Sequence, residues 1–301
     1  NGIETTASAE VTILPTTEGG TLTSQNICAA SEPEMLVLVG SVGTIIYWES
    51  DTDISFASPT NYSITGTVLF PDVVGPLTET TYFRAVLQDA GCDVVYSNIA
   101  TISFTSTTWN GTSWSNGVPN PSSFVLFTGN YSSTGDLYAC SMVVQSPAIV
   151  TVNPTHTFYL SKELTVETGA QYILENNANL IQIDDVDNTG SIVVKRFTSN
   201  EVRRLDYNLW SAPVSGQNLL AFSPQTVANR FYEYNPSTNI YTMVTPTITT
   251  FSQAKGYLIR MPNNFTTWPG QWLGTFSGIP NNGNYNVAVT PETFNAVGNP
   301  Y

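Results

Sequence analysis

Asp184, Asp185 and Asp187 stand within four residues and run on into Asn188, Thr189 and Gly190. Carboxylate and amide oxygens crowded into a turn suit a hard cation, so calcium is the metal to expect there. The full EF-hand pattern fails, because the twelfth position counted from Asp185 is Arg196 where Glu is required, and Lys195 beside it lowers the local negative potential. A solvated turn is the competing reading. Asp51 and Asp53 beside Glu49 form a second, sparser set. Sugar recognition is the other chemistry in view. Trp268 and Trp272, with Arg260, Asn263 and Asn264 close in sequence, supply aromatic faces for pyranose rings and polar groups for hydroxyls. The competing role for such aromatics is to fill a β-rich core.

Catalytic signatures are missing from the sequence. The single His156 makes a Ser-His-Asp triad a poor expectation, and no Gly-x-Ser-x-Gly elbow, phosphate loop or dinucleotide fingerprint occurs. Residues 201–301 hold four carboxylates, Glu201, Asp206, Glu233 and Glu292, and nothing singles out a pair for glycoside hydrolysis. The expectation is a non-catalytic chain with no cofactor other than a candidate Ca²⁺.

The elements that must position these residues read as β throughout. Thr, Val, Ile and Tyr recur between closely spaced turn residues, without sustained helical periodicity. Thr44–Trp48, Thr81–Leu87, Ile99–Phe104, Ile149–Val152 and Tyr257–Arg260 are predicted strands, and Asn218–Phe222 a short helix. With 301 residues and 41% hydrophobic content the chain can bury more than one core. The net charge of −14 is uneven: −11 over residues 1–107, −6 over 108–194 and +3 over 195–301. This balance excludes nucleic acid as a partner. No apolar run approaches the length of a membrane span, so direct membrane insertion is not expected.

Residues 15–107 fit an immunoglobulin-like sandwich. Cys28, Trp48 and Cys92 have the order of two sheets clamped by a bridge over a buried indole, so a Cys28–Cys92 disulfide and an oxidising compartment are expected. Cys140 is then left over, buried or free to pair with another chain. Residues 1–14 end like 96–104 and read as the last strand of a preceding copy. In residues 108–200, apolar pairs (Phe158/Leu160, Leu164/Val166, Tyr172/Leu174, Leu180/Ile183, Ile192/Val194) recur between Asn- and Gly-containing turns. Such spacing suits a β-solenoid, with Trp109 and Trp114 capping its first coil; a flattened sandwich is the alternative. Residues 201–301 read as a jelly-roll-like sandwich, incomplete at its C-terminal end.

Several stretches carry a family resemblance: Tyr47-Trp48-Glu49-Ser50 between Cys28 and Cys92, Trp109-Asn110-Gly111-Thr112-Ser113-Trp114, Leu209-Trp210-Ser211-Ala212-Pro213, Lys255-Gly256-Tyr257-Leu258-Ile259-Arg260 and Gly298-Asn299-Pro300-Tyr301. Together they resemble large secreted proteins of Bacteroidota that carry immunoglobulin-like repeats and are exported by the type IX secretion system. The resemblance implies export across the outer membrane, an extracellular or cell-surface location and contact with that machinery as cargo. It implies a structural or adhesive role toward surface glycans or other cells, and no catalytic residues. The alternative is an accessory, glycan-binding region of a secreted hydrolase.

Overall fold

The computed structural model describes residues 16–89, 93–266 and 269–301. The chain divides into two compact units, Asn1–Phe104 and Thr105–Tyr301, and it is all-β. The helical segments among the described residues are Pro71–Val74, Leu219–Phe222 and a 3-10 turn at Ala228–Arg230. Leu219–Phe222 is the expected short helix, and the Asn218 side chain caps it by accepting from the Ala221 N–H at 3.0 Å. The proposed extra strand within residues 1–14 lies outside the described residues.

In the first unit Thr81–Leu87 is central. It pairs antiparallel with Ile45–Asp51 on one side and with Ala100–Ser103 on the other. Thr60–Tyr62 extends the sheet beyond Ile45–Asp51, and Gln25–Asn26 closes the opposite edge in parallel. Leu36–Val37 and Val68–Leu69 make a separate two-stranded ribbon. Leu36, Leu69, Trp48, Phe83 and Ile102 form one core across both layers, as strands with one apolar face require. Trp48 is the buried indole expected, and its Nε1 donates to the Gly66 carbonyl at 3.0 Å. Arg84, the one base of residues 1–107, is ion-paired with Glu49 and lies between the Phe56 and Tyr96 rings. That charge is therefore used internally.

Cys28 and Cys140 are both disulfide-bonded. Cys140, expected to be the cysteine left over, is therefore bonded, which corrects that part of the expectation. Cys92, assigned from the sequence as the partner of Cys28, lies outside the described residues.

The second unit opens with a parallel β-solenoid of three faces. The first face runs Thr105–Trp109, Ser123–Phe127, Ser141–Val144 and Leu164–Val166. The second runs Tyr131–Ser132, Ile149–Val152, Gln171–Leu174 and Ile192–Phe197. The third runs Leu137–Ala139, Thr157–Leu160 and Asn179–Gln182. One full turn is 22 residues where Met142 meets Leu164, Ile149 meets Gln171 and Thr157 meets Asn179. Val125, Val150, Phe158, Leu164, Tyr172 and Val194 point inward and are fully buried, each contributing roughly 1.5–3 kcal/mol if removed from water. Of the apolar pairs expected to line the rungs, Leu180 is half-buried and Ile183 is exposed, because the third face ends at Gln182.

Corner chemistry repeats with the coils. Asn153–His156, Glu167–Ala170 and Glu175–Ala178 are four-residue turns in which the last N–H donates to the first carbonyl. Their third residues, Thr155, Gly169 and Asn177, all have positive φ, as such turns demand. At the start of the solenoid the rings of Trp109 and Trp114 stand 5.2 Å apart, and they reach Tyr131 and Phe127 at 5.1 and 5.5 Å. These tryptophans cover the first coil, as expected.

At the far end the solenoid continues into residues 201–301. Leu273–Pro280 pairs antiparallel with Ile192–Phe197, and Val214–Ser215 pairs with its outer edge. Tyr207–Trp210, Tyr257–Arg260, Phe231–Asn235 and Ile240–Met243 form a four-stranded antiparallel sheet in that order. Its inner side, with Trp210, Phe231 and Tyr257, joins Phe222, Phe251 and Phe276 in the same core as the coils. The sandwich expected over 201–301 thus takes one layer from the solenoid's second face. The expected modules 108–200 and 201–301 share one core inside a single unit.

Candidate functional site

The aspartate turn is held by amides. Asn282 Nδ2 donates to the Asp184 and Val186 carbonyls at 2.8 and 2.9 Å. Asn188 Oδ1 accepts from the Leu164 N–H and from Gln182 Nε2, both at 2.8 Å. Among the described residues no group of three or more His, Cys, Asp or Glu converges as a metal cluster, so Asp184, Asp185 and Asp187 are not drawn together. Asp185 and Asp187 line an open cleft of about 350 Å³ with Asn281, Asn282 and Tyr285. In the first unit Glu49 is paired with Arg84. The Asp51 carboxylate accepts backbone N–H groups from Asp53 and Ser58, which hold it below the usual carboxylate range. His156 is a turn residue whose Nδ1 lies 2.8 Å from Ser133 Oγ.

The five candidate sugar contacts separate. Trp272 packs half-buried against the core, edge-on to Trp210 at 5.7 Å and to Phe222 at 5.4 Å. Asn264 is exposed, and Trp268 lies outside the described residues. Arg260 and Asn263 are brought together, Arg260 Nη2 donating to Asn263 Oδ1 at 2.6 Å.

Arg260 belongs to a face that the sequence did not single out. Strand alternation in the four-stranded sheet sends Phe231, Tyr257 and Ile259 to the core and turns the intervening residues outward. Cross-strand pairing places Tyr207 opposite Arg260, Leu209 opposite Leu258, Tyr232 opposite Leu258 and Met243, and Tyr234 opposite Tyr241. Tyr207 and Tyr232 meet edge-on at 6.0 Å, Tyr234 and Tyr241 at 5.3 Å. Arg230, at the entry to Phe231–Asn235, donates from Nη1 to the Tyr232 hydroxyl at 3.3 Å, and that hydroxyl donates to the Asn229 carbonyl. Burial raises the Tyr207 hydroxyl above its ordinary pKa, and the Tyr232 hydroxyl raises that of Arg230. Both groups therefore keep their protons at neutral pH. The Arg260 Nε is buried without a hydrogen-bond partner in the protein.

The charge of the patch continues past Asn263. An open depression of about 710 Å³ is lined by Arg203, Arg204, Leu205, Asp206, Asn263 and Phe265. Asp206, its carboxylate, accepts the Arg203 backbone N–H at 2.8 Å. Glu233, on the opposite side of the sheet, is ion-paired with Lys255. Four arginines and four tyrosines thus stand at or beside one solvated surface. The legible signal was the excess of base over acid after residue 195 combined with alternating Tyr in Tyr232-Glu233-Tyr234; the fold was needed to show that both fall on one face.

Residues 102–301 match the family model described as a domain of unknown function (DUF8693), and residues 17–106 match that of a second domain of unknown function (DUF8696). Neither a curated protein nor a solved structure matches the chain.

Proposed function

We propose that this chain, which belongs to the DUF8693 family, is a non-catalytic, adhesive portion of a large exported cell-surface protein carried by the type IX secretion machinery. The observation that carries the reading is the second unit itself. A solenoid covered at one end by Trp109 and Trp114 and continued at the other by an antiparallel sheet is a rigid support. That support holds out a surface of tyrosines and arginines, an arrangement suited to display. Disulfide bonding of cysteines, recorded for both Cys28 and Cys140, fits an oxidising, extracytoplasmic setting. The acidic balance of residues 1–194 fits a surface that resists self-association.

The test is made in a Bacteroidota strain that encodes the chain, with and without a functional type IX system. Protease added to intact cells should digest the protein in the first strain only, and deletion of the gene should reduce attachment to a glycan-coated surface. Protection from protease in both strains would remove the export reading. The same Tyr–Arg surface favours a second reading, an accessory glycan-binding region of a secreted hydrolase. Polysaccharide hydrolysis by the isolated parent polypeptide decides for it.

A further inference from the structure

Arg230 and Arg260 are unusual in a chain with 23 acids and nine bases. With acids in excess, a base without a carboxylate partner is the less expected case. The ion pairs among the described residues are Arg84–Glu49, Lys195–Glu175 and Lys255–Glu233. Arg196 is spent on the Glu175 and Ala178 carbonyls. Arg230 and Arg260 bond a phenol and an amide instead of a carboxylate, so each guanidinium keeps its full charge and unused N–H donors. Nineteen of the 23 acids precede residue 195. At physiological salt their field is screened over about 8 Å, which leaves the sign of this surface to its own residues.

We propose that the outer face of the four-stranded sheet, with Arg230, Arg260, Tyr207 and Tyr232 at its centre, binds an anionic polysaccharide bearing carboxylate or sulfate groups. The proposal deepens the adhesive reading and names its ligand class. Guanidinium forks match carboxylate and sulfate oxygens in pairs of N–H bonds. Tyrosine supplies a rigid apolar ring and a hydroxyl at small entropic cost, which suits the alternating C–H and hydroxyl faces of a sugar. Asn263 and the depression walled by Arg203 and Arg204 give the polymer a continuing track.

The purified chain is titrated by calorimetry with polygalacturonate, dextran sulfate, neutral dextran and poly-L-glutamate. Binding of polygalacturonate, dextran sulfate or both is expected; whichever binds separates carboxylate from sulfate recognition. Arg230→Gln and Arg260→Gln should each weaken it about tenfold, the worth of one charged hydrogen-bond pair. Tyr207→Ala should weaken it while leaving its salt dependence unchanged. Arg230 is the safeguard variant: its side chain bonds tyrosine hydroxyls at the surface and is not buried, so Arg230→Gln should keep the parent melting temperature even where Arg260→Gln does not. No binding to either anionic sugar polymer overturns the proposal. So does equal affinity for neutral dextran or for poly-L-glutamate, or binding that survives Arg230→Gln unchanged. Export is read separately in cells, so a surface-displayed chain that ignores these polymers would sink this proposal and leave the adhesive reading standing.

Discussion

Tyr172 offers a stringent test of how the solenoid core is built. Its side chain points inward from the second face, between Val150 of the preceding coil and Ile192 of the next, and its ring meets Phe158 edge-on at 6.2 Å. The ring belongs there, but the hydroxyl is buried and finds no hydrogen-bond partner in the protein. An unsatisfied buried donor costs about 1–3 kcal/mol, and removing it while keeping the shape is neutral or favourable. Tyr172→Phe should therefore stabilise the second unit by about 1–2 kcal/mol, a rise of roughly 3–6 °C in melting temperature for a unit of this size. Chemical denaturation at pH 7, followed by far-UV circular dichroism, checks it. A variant less stable than the parent by 1 kcal/mol or more would mean that the hydroxyl is satisfied and the core argument is wrong.

The same residue predicts a pH dependence. Burial raises the Tyr172 hydroxyl far above its ordinary value of 10.0. The folded state therefore holds this proton where the unfolded chain releases it. Stability from this group is complete below pH 10 and falls as pH rises above it, by up to about 1.4 kcal/mol per pH unit. Tyr172→Phe lacks that loss, so its advantage over the parent should widen between pH 10 and 11. A constant difference across that range would contradict the burial of the hydroxyl.

Other substitutions address the corners, the cap and the bridge. Thr155 is β-branched yet has φ of +71°, so Thr155→Gly should stabilise by about 1 kcal/mol, read in the same denaturation assay. Gly190 also has positive φ, and a Cβ there would fall 1.9 Å from the Val166 carbonyl oxygen; Gly190→Ala should cost about 2–4 kcal/mol and expose the Thr165–Thr189 bridge to hydrogen exchange. Trp114→Ala, which uncovers Phe127 and Tyr131, should cost about 2–4 kcal/mol and increase dye binding to exposed apolar surface. Alkylation without reductant should spare Cys28 and Cys140, and reduction should open both to the reagent; modification of either under non-reducing conditions would refute the bonded assignment.

Legibility followed the range of the physical signal. Thr81–Leu87, Ile149–Val152 and Tyr257–Arg260 were read at the residues where they lie, because their alternation and flanking turns are local. The solenoid was legible for the same reason: each rung repeats an apolar pair and a corner. The corner turns Asn153–His156, Glu167–Ala170 and Glu175–Ala178 were a further signal that the pairs alone did not use. Long-range choices were not legible. Trp272 was read as one of two candidate sugar platforms and packs, half-buried, against the core, since an aromatic near a strand carries no mark of which face it occupies until the sheet's partners are known.

The absence of a break near residue 200 follows from the edge problem of a solenoid. Each coil of the second face satisfies its backbone by pairing with the next, so the last strand, Ile192–Phe197, presents a row of unpaired N–H and C=O groups and an uncovered apolar layer. Left open, that edge would recruit another chain. Here Leu273–Pro280 pairs along it in the antiparallel sense, and Val214–Ser215 adds a final pair too short to template a further strand. The bulk of Phe222, Phe251 and Phe276 closes the apolar layer beneath. The antiparallel sheet built to seal the coils then has one side committed to the core. Its other side stays solvated, with its outward residues free of the packing constraint, and that is the side on which the tyrosines and the carboxylate-free Arg230 and Arg260 gather. Closing the solenoid and presenting the basic surface are two consequences of one sheet's alternation.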